Sequence, residues 1–375
     1  MDDGRIAKQK KSLSDWTIAH GFFSGAETPT HTAVLGAVND YLTARSLGPG
    51  GRERNAETER LCKINLAMLL HGQPEQIAIV SSASEAISMV ARSIDFAPGD
   101  NVVIHELEFP SGVLPWLALK AKGVEVRVVA HKEWEVGAED LLASVDDRTK
   151  LVLTSHVSYL TGARLDYRKL YERLTQTNTL LVLDATQSLG VVPVDMMQAD
   201  IVICSTYKWL LSLHGGGVLA VNPGRTADLL PAYVGWRSVE ERAGRERFES
   251  FAYHADARRF ELGYPSYPTV YALERSTRLL LAAGIDEIER HVLALGGELI
   301  ALLESLGLAV TTPAEPARRA GNISFLHEAA GEVAERLLDR RIFAMGSDGR
   351  VRLSVHAFND RSDLERLRAC LPACL

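Results

Sequence analysis

The stretches LLVLDATQS at residues 180–188 and IVICSTYKWLL at residues 201–211 decide the fold. Each begins with apolar residues on consecutive positions, then runs into a residue that carries chemistry: Asp184 in the first and Lys208 in the second. An apolar run without alternation marks a strand covered on both faces, as in a wound α/β sheet. Five more such runs lie at residues 77–80, 102–105, 124–129, 151–154 and 218–221. Helix-like stretches at 84–94 and 113–121 separate some of them. Pro98-Gly99-Asp100 punctuates one loop, and Gly123 turns the chain into another strand. The alternation predicts an α/β fold with a mainly parallel, wound, seven-stranded sheet, in which ligands gather beyond the carboxyl ends of the strands.

After Asn222 the pattern changes. Residues 225–258 read as charged loop, and helices are expected at 269–283 and 285–306. Short strands at 309–311, 322–325 and 351–354 then alternate with helices near 332–340 and 361–369. This predicts a smaller C-terminal α+β domain. The expected division is a large domain over 20–255 and a small domain made of 1–19 with 256–375. No internal repeat or low-complexity tract interrupts the chain.

Composition bounds the function. The 375 residues exceed the roughly 100–200 of one ordinary domain. Hydrophobic residues at 46% and charged residues at 24% exclude a disordered or fibrous chain. A net charge of -7, with basic residues spread along the chain, lacks the footprint of a nucleic-acid binder. Cys62, Cys204, Cys370 and Cys374 form no CxxC pair, and no His clusters near the last two, so no metal is expected. Few cysteines in a long chain fit reduced thiols. The first 16 residues lack the apolar core of a signal peptide, and no apolar run approaches the roughly 20 residues of a membrane span. A cytoplasmic protein with no membrane partner is expected.

Three features carry chemistry, and each alone has a plain structural reading. Asp184 ends an apolar strand at the ligand-binding edge, where it could also cap a loop or hold a metal. Lys208, flanked by Tyr207 and Trp209 just past a buried strand, is placed to lose its hydration. Desolvation lowers a lysine from about 10.4 and favours the nucleophilic neutral amine. A snorkelling lysine is the ordinary alternative. In VSSASEAISM at 80–89 a strand gives way to a helix through Ser82 and Ser84. The first helical amides there would receive an anion, although a simple N-cap also explains the serines. Together the three supply a phosphate cradle, a carboxylate and an amine at strand ends of one sheet. Pyridoxal 5'-phosphate (PLP) needs all three.

On these residues the sequence resembles the class V aminotransferase superfamily of fold type I PLP enzymes, which includes cysteine desulfurases, selenocysteine lyases and isopenicillin N epimerase-like proteins. The resemblance runs from about residue 20 to 369. It is strongest in SSASEA (81–86), SHVSYLTG (155–162), DATQS (184–188), STYKW (205–209), RFELG (259–263) and VRLS (351–354). It implies that Lys208 is the Schiff-base lysine, that Asp184 pairs with the pyridine nitrogen, and that Gln187 reaches the ring hydroxyl. It further implies that Ala83, Ser84, Ser205 and Tyr207 surround the phosphate and that Phe109 stacks on the ring. Arg352 would hold the substrate α-carboxylate. A homodimer is also implied.

The departures from the family pattern are informative. The region before Arg352, RRIFAMGSDG at 340–349, has no cysteine, which argues against the persulfide chemistry of desulfurases. Tyr159 stands where desulfurases place an asparagine near the cofactor ring. Tyr264 replaces a threonine that reaches the neighbouring subunit's phosphate, leaving that contact to Tyr264, Ser266 or neither. Rival readings fare worse. HGGG at 214–217 resembles an oxyanion loop, yet no G-x-S-x-G elbow occurs. GPGG at 48–51 lacks dinucleotide-binding spacing, and no phosphate-binding P-loop exists. A non-catalytic PLP-fold binding protein would have no reason to keep Lys208, Asp184 and Arg352. The expected activity is a PLP-dependent C–S β-lyase on a cysteine S-conjugate. The alternatives are an aminotransferase, an epimerase or a decarboxylating enzyme on an amino acid.

Overall fold

All seven apolar runs form strands in the computed structural model, which describes residues 21–240 and 245–375. They are β1 (Ile77–Val80), β2 (Asn101–His105), β3 (Glu125–Val129), β4 (Thr149–Ser155), β5 (Leu180–Asp184), β6 (Ile201–Ser205) and β7 (Gly217–Val221). Helices of eight residues or more are α1 (Thr32–Arg45), α2 (Pro49–Leu70), α3 (Ala83–Ser93), α4 (Tyr167–Leu174), α5 (Tyr267–Ala283), α6 (Ile285–Ser305), α7 (Ala330–Asp339) and α8 (Arg361–Cys370). The strands make one sheet in the order β1-β7-β6-β5-β4-β2-β3. Six strands, β3, β2, β4, β5, β6 and β1, run in one direction, while β7, between β6 and β1, is antiparallel to both.

The consecutive apolar residues have a direct cause. Leu181 and Leu183 point into one core with Leu66 of α2 and Leu170 of α4. Val182, between them, points into the opposite core with Ile87 of α3 and Trp116. Each such side chain contributes about 1.5–3 kcal/mol by leaving water, so neither face of β5 tolerates a polar residue until the strand ends at Asp184. The edge strand β3 is different. Its Arg127 pairs with Glu125 and Asp146 at the surface, which blunts an otherwise open edge.

A second sheet, ordered β8-β10-β9, contains β8 (Asn322–Leu326), β9 (Met345–Ser347) and β10 (Arg350–Ser354), all antiparallel. Val351 and Leu353 pack under α6, α7 and α8 with Leu299, Val333 and Leu367. Phe22 joins this core, and Gly21 and Phe23 bridge to Phe343 and Ser354. The period of two in β10 turns Arg350, Arg352 and Ser354 to the other face, towards the large sheet. The 1–19 segment assigned to the small domain lies outside the described residues.

Three details differ from the sequence expectation. Residues 113–121 form a short α-turn, Leu114–Leu117, followed by a 3-10 turn, Ala118–Lys122, that Gly123 closes at φ 80°. Residues 309–311 make a single bridge, Val310 to Phe325, not a strand. Helices α1, α2 and α4 were not anticipated. No helix among the described residues is long and apolar enough to cross a membrane. Among the same residues no group of three His, Cys, Asp or Glu could hold a metal.

Candidate active site

Three neighbouring strands end side by side at one edge of the sheet, on Ser155, Asp184 and Ser205. They open a small cleft. Its walls include Ala83, Ser84, Phe109, Tyr159, Asp184, Gln187, Ser205, Tyr207 and Lys208, so most of the predicted residues come together. Ser111, Ser155 and Thr186 also line it, which the sequence reading missed.

Lys208 follows β6 and is only 8% exposed. The Thr28 hydroxyl donates to its carbonyl at 2.8 Å, and Trp209 beside it is fully buried, so the backbone is anchored from both sides. Its amine lies 5.4 Å from the Phe109 ring and 5.7 Å from the Tyr207 ring. Burial pulls the amine down to about 8; Asp184 opposes that shift and Arg352 adds to it. Near neutral pH a useful fraction of the amine is therefore unprotonated, as a nucleophile and proton carrier requires.

Asp184 accepts a hydrogen bond from the Thr186 amide at 2.8 Å and forms no ion pair among the described residues. Burial raises its carboxyl above the usual range, with the Thr186 hydrogen bonds opposing. A buried carboxylate of this kind is stabilised by a cation placed against it. Close by, the Ser82 side chain caps α3 by accepting from the Glu85 amide at 3.0 Å, leaving Ala83 and Ser84 at the mouth of the helix. A Cβ on Gly217 would lie 2.4 Å from the Ser82 carbonyl carbon, so β7 reaches this turn only as glycine. The Tyr207 ring stacks on His214 at 3.8 Å, and its hydroxyl is hydrogen-bonded to Ser205.

Gln187 occupies the cleft wall, but its amide is already committed. Its oxygen accepts from Trp209 Nε1 at 2.8 Å and Asn322 Nδ2 at 2.9 Å, while its nitrogen donates to the Gly25 carbonyl at 2.9 Å. It thus ties the small sheet to the large one. Arg352 crosses the same seam and donates to the Tyr159 carbonyl at 2.6 Å. Its Nε is buried without a partner, and burial lowers the guanidinium to about 10. Tyr159 packs edge-on against Phe109 at 5.2 Å, joining the arginine side of the cleft to the ring above Lys208. Tyr264 stands apart: it is 61% exposed, lies against Trp236 and does not reach the cleft within this chain.

Beneath the cleft is an acid that the sequence did not single out. Glu108 accepts from the Ser155 amide at 2.5 Å and from its hydroxyl at 2.7 Å, and lies 2.6 Å from His105 Nε2. It fixes Ser155 at the strand end. The cue was a polar Glu inside LEFPSG, directly before the aromatic Phe109. Cys204 is also near, but its thiol packs into the core and burial pushes it well above the ordinary thiol range. A protonated, enclosed thiol is no nucleophile.

A mixed seven-stranded sheet with a small antiparallel appendage, and an amine and a carboxylate meeting at its edge, defines a fold type I PLP architecture. Residues 21–367 match the family "Aminotransferase class-V", and the chain belongs to that family. It is a PLP-dependent enzyme. Among curated relatives, an uncharacterized protein of Schizosaccharomyces pombe is 32% identical over 74% of this chain and 65% of its own. The uncharacterized aminotransferase YcbU of Bacillus subtilis is 27% identical over 88% of both. Among solved structures, the apo cysteine desulfurase from Thermococcus onnurineus NA1 superimposes with a TM-score of 0.86 at 22% identity, covering 97% of this chain and 96% of that one. The cystine C-S lyase C-DES gives 0.88 at 22% identity, covering 96% and 98%.

Proposed function

We propose that this chain is a C–S β-lyase acting on a cysteine S-conjugate, with Lys208 as the residue that attaches PLP and then moves the proton at Cα. The observation that carries the reading is the buried Lys208 amine, held beside the Phe109 and Tyr207 rings in the same cleft as Asp184. The cleft fits the cofactor. Asp184 is a buried carboxylate lacking a cation, the α3 terminus with Ala83 and Ser84 suits a phosphate, and Phe109 overhangs the amine. Ser205 and Tyr207 complete the phosphate side. When bound, PLP supplies an electron sink conjugated to the substrate Cα.

The chain's own residues do the rest. Arg352 holds the α-carboxylate, which selects the Cα bond presented for cleavage. Asp184 favours the protonated pyridine nitrogen. Once released, Lys208 takes the Cα proton, and a conjugate thiolate leaves from Cβ without a strong acid because its conjugate thiol has a pKa of about 8.5. Overall, conjugate plus water gives thiol, pyruvate and ammonium. Persulfide transfer is disfavoured because residues 340–349 contain no cysteine and Cys204 is enclosed. Gln187 serves chiefly to hold the two sheets, with one amide hydrogen left for the cofactor. Transamination is the second reading, favoured by the name of the Bacillus relative. We assign the cofactor to the domain of the seven-stranded sheet and the substrate clamp to the domain of the three-stranded sheet, in a homodimer in which Tyr264 faces the partner subunit.

The test is borohydride reduction of the purified holoenzyme followed by peptide mass spectrometry, then product analysis on cysteine S-conjugates and ordinary amino acids. A pyridoxyl adduct on Lys208, loss of the visible chromophore in Lys208→Ala, and pyruvate with free thiol are expected. Identical spectra in wild type and Lys208→Ala would remove Lys208 from its role. A 2-oxo acid retaining the substrate side chain would select transamination.

A further inference from the structure

Two arginines, not one, stand on the face of the small sheet turned towards the large one, next to Tyr159 of the cleft wall. Alternation along β10 places Arg350 and Arg352 on the same face, while Val351 and Leu353 enter the core. Both arginines are 6% exposed. Arg350 Nε and Nη1 are buried with no hydrogen-bond partner, and the residue forms no ion pair among the described residues. Its guanidinium lies 4.4 Å from the centre of the Trp134 ring, delivered by the loop after β3. Tyr159 and the exposed Asp348 are the titratable groups that it feels, and neither is hydrogen-bonded to it.

An unpaired guanidinium is costly to bury, and a ring face returns only part of that cost. A structural arginine looks different. Arg259 donates to the carbonyls of Leu229, Thr226 and Ala255. Arg319 is also incompletely paired, but it is turned onto α6 at Gly296 and Gly297. Arg350 alone joins open valences to a place beside the carboxylate clamp, and Tyr159 touches the field of both arginines. Two residues along a strand span about 7 Å, the reach of an amino acid whose side chain ends in a second anion.

We propose that the preferred substrate is an amino acid with a carboxylate-ended side chain, Arg350 receiving that carboxylate while Arg352 holds the α-carboxylate. The inference rests on the role assigned to Arg352 above and names the substrate class of the same site. It points to S-(carboxyalkyl)cysteines over neutral conjugates.

Titrating the holoenzyme with acid–amide pairs tests it. The pairs are S-(carboxymethyl)cysteine against S-(carbamoylmethyl)cysteine and glutamate against glutamine. Binding is read as the change in cofactor absorbance and turnover as kcat/KM. A charge-assisted contact predicts a preference for the acid of about tenfold or more in wild type. That ratio should fall close to one in Arg350→Gln and recover in part in Arg350→Lys. Equal binding of acid and amide by wild type, or an undiminished ratio in Arg350→Gln, overturns the proposal. Absence of a cofactor spectrum in wild type would instead overturn the underlying assignment, so the two failures are distinct.

Discussion

On the sheet side of the cleft, Ser155, Asp184 and Ser205 sit at the ends of adjacent strands, and nearly every polar atom already has a partner from the protein. Ser155 is held by Glu108, Asp184 by Thr186, and the Lys208 backbone by Thr28. On the opposite side, Arg350 and Arg352 come from one strand of the small sheet, and three of their buried nitrogens have no partner. The sheet side is built before anything binds. The arginine side is left incomplete, which suits groups that a ligand must bring. The two are joined by the Asn322–Gln187–Trp209 hydrogen-bond seam, with Ser354 bonded to Asn322 at 2.7 Å. Cofactor chemistry needs fixed geometry, and substrate choice needs unfilled valences.

The sharpest way to break this division is to remove the carboxylate. Asp184→Ala should lower kcat/KM by at least about a hundredfold, the size typical of losing a group that stabilises developing charge. The loss should appear in kcat, with the cofactor absorbance shifted as the pyridine nitrogen loses its proton. A mutant with near wild-type kcat would show that the sheet side is not the electron-withdrawing half.

Arg352→Lys probes the other half. A lysine keeps the charge but cannot grip a carboxylate with two parallel donors. KM for a carboxylate-bearing substrate should rise about 10–100-fold while the Lys208 adduct remains. Steady-state kinetics with borohydride mapping separates the two effects. A lost adduct would mean that Arg352 supports the cofactor and that the two sides are not independent.

The sheet side was legible in the sequence and the arginine side only partly so. Strands buried on both faces leave unbroken apolar runs, and in the parallel strands the first polar residue after the run is at the ligand edge. That rule found Asp184, while Lys208, three residues past Ser205, stood out by its aromatic flanks Tyr207 and Trp209. Helix α2 escaped because its first half is charged, as in GRERNAETER at 51–60, and only its last turns enter the sheet core; α1 escaped because it packs mainly on α5. Ser155 and Thr186 act through position in space, set by strand register, which no local pattern records. Arg350 was overlooked although RVR at 350–352 holds the cue, since a spacing of two in a strand puts both arginines on one face. Tyr264, or Ser266, or neither, was expected to reach the neighbouring subunit's phosphate, a contact across subunits that one chain does not display; within this chain Tyr264 is exposed and outside the cleft.

The smallest effect is also the most discriminating, because both sides act on the Lys208 amine with opposite sign. The neutral amine is the nucleophile, and its fraction rises as pH passes its pKa. In the apoprotein, trapping of a small aldehyde on Lys208 with cyanoborohydride should therefore climb with pH and reach its half-maximum near 8, against about 10.4 for an ordinary lysine. Asp184 favours the charged amine, so Asp184→Asn should move that midpoint down. Arg352 disfavours it, so Arg352→Gln should move the midpoint up. At fixed pH near 8 each change is a few-fold in trapping rate, read by the adduct on the Lys208 peptide. An unmoved midpoint in both variants would mean that burial alone sets the amine and that neither charge reaches it. Opposite shifts would show that the amine is balanced between a completed half of the cleft and an unfinished one. A carboxylate arriving at Arg352 would then neutralise that half and raise the amine, which makes Lys208 a better proton acceptor once substrate is bound.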